Sequence, residues 1–485
     1  MPSKPNILLL MADEHTAGTL GCYGHPFVQT PAMDSLARDG VLFERAYCNS
    51  PICATSRHSF LSGRYTWRTN SWHNGSPPPT HLPSIASHLR EHGYYTATMG
   101  KMHFVGPDQH WGFQYRPYGD FLGEGHQPDP ISHAPRLPLL PVGPAEIPEA
   151  EMQESIVNRL GIEFLRNYDR NEPFCLMLSY NRPHHPLRPP QRFWEQYFPD
   201  HADMPDWGPN FPGRFHPYME HQRKWYGFDK LSEQDFRAAR AGYYACISFV
   251  DDKIAEVLRT VDELCLRDDT IIIYWSDHGE MNGEQGRVWK SNFFEPSVRV
   301  PFIVSYPKQF PRGKRVSELV ELIDLFPTVA DLAGTPLPEG LDGKSLSPLM
   351  LGDMAAHSKE FVFCDHVSHS VPAPQRMIRT DEWKFILYLD ALPSLYNLKE
   401  DPHEFYDRAA DPGTQNLRRD LEGMLRADWD EALVRDNFVY SPSGEQAQGR
   451  PLYGTPNQYL TEDGQYVNAE TFYGDINWMD AAGKI

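Results

Sequence analysis

Asn6-Ile7-Leu8-Leu9-Leu10-Met11 is an unbroken apolar run followed at once by Ala12-Asp13-Glu14-His15. The run is too short for a typical helix and lacks polar alternation. It therefore predicts a strand buried on both faces, with Asp13 at its carboxyl tip and a functional loop beyond. A second run, Thr270-Ile271-Ile272-Ile273-Tyr274-Trp275, is rich in β-branched and aromatic residues and leads into Ser276-Asp277-His278-Gly279. The design repeats: a buried strand, then an acid at the tip. Phe174 to Tyr180 and Tyr94 to Met99 read as further strands, while Ala32 to Gly40, Leu82 to Gly93 and Ala241 to Val261 carry helical spacing. Strands alternating with helices imply an α/β domain with a largely parallel sheet covered on both faces. Sites in such sheets form beyond the carboxyl ends of the strands, where the acid-tipped loops lie.

Outward from these strands, the Pro-rich stretches 127–148 and 181–218 show little periodicity and read as long ordered loops or lids. After about 355 the pattern changes to short candidate strands at 361–364, 375–379, 383–389 and 394–398, with one helix from Gln415 to Leu433. We therefore expect a large domain over 1–355 and a smaller α+β domain with an antiparallel sheet over 356–485. Its tail, 436–485, carries Phe438, Tyr440, Tyr453, Tyr459, Tyr466, Phe472, Tyr473 and Trp478 among polar residues. So many aromatics favour packing of the tail against its own subunit or, as an arm, against a neighbour in a homo-oligomer.

The composition excludes several classes. Of the 485 residues, 40% are hydrophobic and 23% charged, which fits a globular protein that buries a substantial core. A formal net charge of −20 with no Lys/Arg-rich run opposes nucleic acid and heparin-like polymers as partners. Ile7 to Met11 is far shorter than a membrane span and has no basic leader, so we expect a cytoplasmic protein without a membrane partner. The seven cysteines, at 22, 48, 53, 175, 246, 265 and 364, show no C-x-x-C spacing and argue against a disulfide framework or a zinc knuckle.

Cys53 stands apart because of its setting, Ser50-Pro51-Ile52-Cys53-Ala54-Thr55-Ser56-Arg57, followed by a helix-like run to Gly63-Arg64. This resembles the sulfatase signature C-x-P-x-R, in which the Cys is oxidised after synthesis to formylglycine. Thr55 stands where the family usually has Pro or Ala. Further motifs similar to the family's occur in its order: Pro5 to Asp13, Gly100-Lys101-Met102-His103, Pro183-His184-His185-Pro186, Ser276 to Glu280 and Trp289-Lys290. Leu395 to Leu398 with Asp401-Pro402-His403-Glu404 resembles the family's C-terminal domain. Gly100 to Gln109 and Phe293 to Pro301 look most like the branch holding choline sulfatases and phosphonate monoester hydrolases.

The resemblance implies an alkaline-phosphatase-like large domain with a mixed central sheet flanked by helices, and a smaller C-terminal domain. It also implies hydrolysis of a sulfate monoester, with one divalent metal ion and a formylglycine made from Cys53 by a maturating enzyme. Asp13, Asp277 and His278 make chemical sense as metal ligands, with Glu14 a further candidate, and the imidazole widens the choice from calcium toward manganese. Many sulfatases have a second Asp and an Asn where Glu14 and His278 stand here. In the implied mechanism a metal-bound hydroxyl of the hydrated aldehyde attacks sulfur and the second hydroxyl expels sulfate. Arg57 and Lys101 would hold the diol and the charge beside the metal, His103 would act as base, and His184 with Lys290 would bind sulfate and protonate the leaving alcohol. The net charge points to a small aryl or alkyl ester as substrate. Trp67, Trp72, His73, Trp111 and Tyr115 are either walls of a leaving-group pocket or ordinary packing. Two alternatives stand beside this reading: a phosphonate monoester or phosphodiester hydrolase, and a non-catalytic anion-binding protein with Cys53 left as a thiol.

Overall fold

A computed structural model describes residues 4–104, 108–119, 142–209, 211, 213, 215–353, 359–369 and 371–438, together with two short strands at 458–460 and 466–468. The apolar run becomes β1 (Asn6–Asp13), which lies inside an eight-stranded sheet. Chain order then gives β2 (Val41–Tyr47), β3 (Tyr95–Gly100), β4 (Phe174–Pro183), β5 (Thr270–Ser276), β6 (Arg299–Val300), β7 (Phe302–Ser305) and β8 (Lys314–Glu321). The spatial order is β3-β4-β1-β5-β7-β2-β6, with β8 beside β2.

Four neighbours, β3, β4, β1 and β5, run parallel, whereas β7 is antiparallel to both β5 and β2. The sheet is therefore mixed, and the parallel arrangement holds for the part that carries the acid-tipped strands. Strands β6 and β7 are one antiparallel run interrupted at Pro301, which has no N–H to give the ladder.

Alternation decides which side chain goes to which face. Ile7, Leu9 and Met11 of β1 join one core with Ile271, Ile273 and Trp275 of β5. Leu8, Leu10 and Ala12 point the other way and join Ile272 and Tyr274. A side chain every second residue on each face is what a strand covered on both sides requires. Helices Cys53–Ser62, Ile85–Glu91 and Leu325–Leu332 supply residues to the first core. Helices Pro31–Arg38, Gln153–Asn167 and Glu233–Glu263 supply the second. Asp251, in the last of these, accepts the backbone N–H groups of Ala32 at 3.0 Å and Met33 at 2.8 Å, capping the first turn of its neighbour.

The C-terminal region forms a second sheet, β9 (Phe361–His366), β10 (Gln375–Thr380), β11 (Trp383–Tyr388) and β12 (Ser394–Asn397), antiparallel in the order β12-β11-β10-β9. Two expectations change in detail. The single helix over Gln415 to Leu433 is two, Gln415–Arg426 and Glu431–Asn437, because Asp430 accepts the N–H of Leu433 at 2.9 Å and starts a new helix. The stretch 181–218 is not loop throughout, since it contains the helix Gln191–Tyr197. Residues 127–141 and most of the aromatic tail lie outside the described residues, apart from the short antiparallel pair Gln458–Leu460 and Tyr466–Asn468. Among the described residues no helix is long and apolar enough to cross a membrane.

Candidate active site

Register brings the strand tips together. Ala12 lies opposite Ser276, Asp13 opposite Pro183, and Gly100 opposite Ser179. The residues just beyond these tips are Lys101, His184 and Asp277, so three loops converge on Asp13. Gly100 is needed there: its φ is +93°, and a Cβ would stand 2.0 Å from the carbonyl oxygen of Ser179.

The fourth contribution is the helix Cys53–Ser62, all ten residues of which are buried. It stops at Gly63, whose φ of +66° makes the left-handed C-terminal cap. Cys53 is its first residue. The i, i+4 spacing then places Arg57 one turn further along the same face. Ser56 anchors the helix by donating its hydroxyl to the carbonyl oxygen of Asp277 at 2.6 Å.

Arg57 binds both acids. Its Nε donates to Asp277 Oδ2 at 2.8 Å and its Nη2 to Asp13 Oδ2 at 2.6 Å, while Nη1 donates to the carbonyl oxygen of Lys101. Lys101 Nζ lies 2.9 Å from the same Asp13 oxygen. Burial pushes the Asp13 carboxyl up, but Lys101 and Arg57 outweigh it and hold the group well below the usual carboxylate range. The carboxylate is fixed in its charged, ligand-competent form.

Cys53 Sγ lies 3.1 Å from His278 Nε2 and 3.8 Å from Asp13 Oδ1. His278 Nδ1 is 3.1 Å from the carbonyl oxygen of Gly279, an orientation that turns Nε2 toward the sulfur and the acids. Asp277 Oδ1 is held by the N–H groups of Glu14 at 3.1 Å and His278 at 3.0 Å. One donor atom from each of Asp13, Cys53, Asp277 and His278 falls within 4.8 Å of the others, all buried. Two carboxylates and an imidazole nitrogen suit a divalent cation, so these residues fit the metal that the sequence motifs imply.

Glu14 forms, with Asp13 and His184, another group of donors within 4.8 Å of one another. Its Oε2 accepts from Lys290 Nζ at 2.9 Å and lies 3.3 Å from His184 Nε2. The second contact is no ion pair: burial, with Lys101 and Lys290 nearby, holds His184 well below its ordinary value, so its ring is neutral. Its Nδ1 lies 2.7 Å from the carbonyl oxygen of His185, which accepts that nitrogen's proton. Burial and the neighbouring Glu280 raise Glu14 to about 8 against the pull of Lys290. His103 is buried two residues beyond Lys101, with a left-handed φ of +59°.

Trp111 packs edge-on to Phe104 and His58, Trp72 lies in the C-terminal core, and Tyr115 stacks on Phe164. Three contributors have no role assigned by the motifs: Glu280, Tyr243 and Ser179. Glu280 directly follows the Asp277-His278-Gly279 motif, which was the available signal. Tyr243 and Ser179 lie within a helix and a strand that show none.

Acid-tipped parallel strands, a buried cysteine at a helix start and a cluster of lysine and arginine around it define an ester hydrolase of the alkaline-phosphatase-like architecture. Residues 5–335 match the sulfatase family, and residues 283–430 match the N-sulphoglucosamine sulphohydrolase C-terminal region. The chain belongs to the sulfatase family and is a sulfuric ester hydrolase. It is 32% identical to a choline-sulfatase of Rhizobium meliloti (strain 1021), over 90% of this chain and 89% of that protein. It is 30% identical to arylsulfatase K of Bos taurus, over 84% of this chain and 79% of that protein. Its fold is shared with the phosphonate monoester hydrolase of Agrobacterium radiobacter, with a TM-score of 0.74 and 23% identity over 96% of this chain and 99% of that one.

Proposed function

We propose that the protein hydrolyses a small aryl or alkyl sulfate monoester, through a formylglycine made from Cys53 and with one divalent cation held by Asp13, Asp277 and His278. The observation that carries this reading is the position of Cys53: buried at the first residue of its helix, 3.1 Å from His278 Nε2 and one turn before Arg57. As a thiol it would be a weak nucleophile. Burial and the Asp13 carboxylate push it up to about 12, more than Lys290 and Lys101 can offset, so at neutral pH the sulfur keeps its proton. Oxidation by a maturating enzyme replaces that inert thiol.

A cation held by Asp13, Asp277 and His278 would supply Lewis acidity there. The residues of this chain do the rest. Arg57 fixes both acids in one geometry. Lys101 and Lys290 bring positive charge to where sulfate oxygens gain negative charge. His103 acts as base, and His184 with Lys290, whose ammonium carries a proton to give, binds sulfate and protonates the leaving alcohol. The net charge of −20 favours a small ester over a sulfated polymer, and the seven unpaired cysteines favour a reducing, cytoplasmic setting.

The Asp277-His278 pair suits a phosphonate monoester or phosphodiester as well, and a permanently unmodified Cys53 would suit an anion-binding protein without catalysis. One experiment separates the three. The mass of the peptide spanning Cys53 is measured in the active protein, beside turnover of an aryl sulfate, an aryl phosphonate monoester and a sulfated glycosaminoglycan. An aldehyde at residue 53 with preference for the aryl sulfate is expected. Faster phosphonate turnover would promote the second reading, a thiol with no turnover the third, and preference for the glycosaminoglycan would remove the small-ester assignment.

A further inference from the structure

Glu14, His185 and Glu280 form a further group of donors that shares no residue with the Asp13, Cys53, Asp277 and His278 set, although Glu14 also groups with Asp13 and His184. One donor atom from each lies within 4.8 Å of the others. Glu280 is 1% exposed, Glu14 is fully buried, and the His185 side chain is 9% exposed.

Their hydrogen bonding is lopsided. Glu280 Oε1 accepts the N–H groups of Asn282 at 2.9 Å and Trp289 at 2.6 Å, which pins the carboxylate, while Oε2 accepts none. Lys290 occupies Glu14 Oε2, and Glu14 Oε1 accepts none. The His185 ring is steadied edge-on by Trp289 at 5.7 Å, and neither ring nitrogen has a hydrogen-bond partner; Nε2 stands 3.6 Å from Glu280 Oε2. Glu14 and Glu280 share a side-chain hydrogen bond, so a proton lies between them where a cation could stand, and the unpartnered ring of His185 beside them is costly to bury.

From this convergence we propose a second divalent-cation site, with Glu14 Oε1, Glu280 Oε2 and a ring nitrogen of His185 as its protein ligands. Two carboxylate oxygens and one imidazole nitrogen match zinc or manganese better than calcium. Glu280 also lines a cavity of about 210 Å³ whose walls include Glu284, paired with Arg240, and Glu295 and Glu404, both paired with Lys384. The reaction proposed above needs only the first cation, so this site is an addition to it.

The test uses full-length protein equilibrated with excess zinc and, separately, manganese, then freed of unbound metal. Elemental analysis is expected to find two equivalents in the wild type and one in Glu280→Gln and in His185→Asn, with cooperative thermal unfolding confirming that the variants are folded. One equivalent in the wild type, or two retained in both folded variants, overturns the proposal. Anomalous scattering from wild-type crystals gives an answer independent of the variants: a peak among Glu14, His185 and Glu280 supports the site, and no peak there removes it. The location of any peak at Asp13, Asp277 and His278 reports on the first site separately.

Discussion

Tyr243 donates its hydroxyl to the carbonyl oxygen of Glu14 at 2.7 Å and accepts the N–H of Thr16 at 3.0 Å. A side chain from the middle of the longest helix thus clamps the backbone that carries Asp13 and Glu14.

Removing that clamp leaves a buried carbonyl and a buried N–H without this partner. Tyr243→Phe is expected to cost about 1 kcal/mol or more of stability and to weaken metal binding roughly tenfold. Thermal unfolding with a metal titration checks both. Unchanged metal affinity in a destabilised variant would reduce Tyr243 to a packing role.

Cys53→Ala should lower turnover by roughly a thousandfold or more, because it removes the nucleophile and not a substrate contact. Cys53 occupies a helix start with no hydrogen bond to the backbone beyond the helix itself, so far-ultraviolet dichroism should be unchanged. Turnover near the wild-type rate would exclude the formylglycine mechanism.

Chelation should abolish activity, and manganese should restore it at least as well as calcium, because His278 offers a nitrogen that calcium accepts poorly. Asp13→Ala/Asp277→Ala should lose the cation from that site. Full turnover after exhaustive chelation is the contrary result.

Stability should fall in acid through three buried histidines. Burial lowers His15, His58 and His366 from 6.5 to about 3, with Arg57 adding to the effect at His58. Between those values the unfolded chain binds protons that the folded chain refuses, so stability is full above pH 6.5 and is lost as the pH drops toward 3. Each histidine contributes about 1.4 kcal/mol per pH unit within that window. Urea unfolding from pH 7 to 5 measures the slope, and a His366→Gln variant that folds should show a shallower one.

Deleting residues 441–485 tests the aromatic tail as an oligomer arm. Light scattering should show the full-length oligomer reduced to a smaller species. An oligomer of unchanged mass would exclude the arm, and a monomeric full-length protein would exclude the oligomer.

Much of this architecture was legible in the chain because burial on both faces leaves a plain mark. The apolar runs at β1 and β5 have no polar residue until the tip, so strand, burial and the position of Asp13 and Asp277 could be read together. The short strands after 360 were equally plain because turns separate them. The antiparallel placement of β7 and the break between the two last helices depend on packing that local pattern does not encode. The same holds within the site. Adjacent residues 13 and 14 look alike in sequence, yet Asp13 faces Arg57 and Lys101 while Glu14, at a φ of +64°, faces Lys290. Separating them needed the folded backbone.

The convergence of strand tips also has a kinetic consequence. Sulfur 53 meets Asp13 across 40 residues, Arg57 meets Asp277 across 220, and Lys290 meets Glu14 across 276. No fragment contains the site, and loop-closure entropy makes such distant pairings late events. During refolding, helical signal should therefore return first, with regained turnover of protein already carrying its modification marking the end of the process.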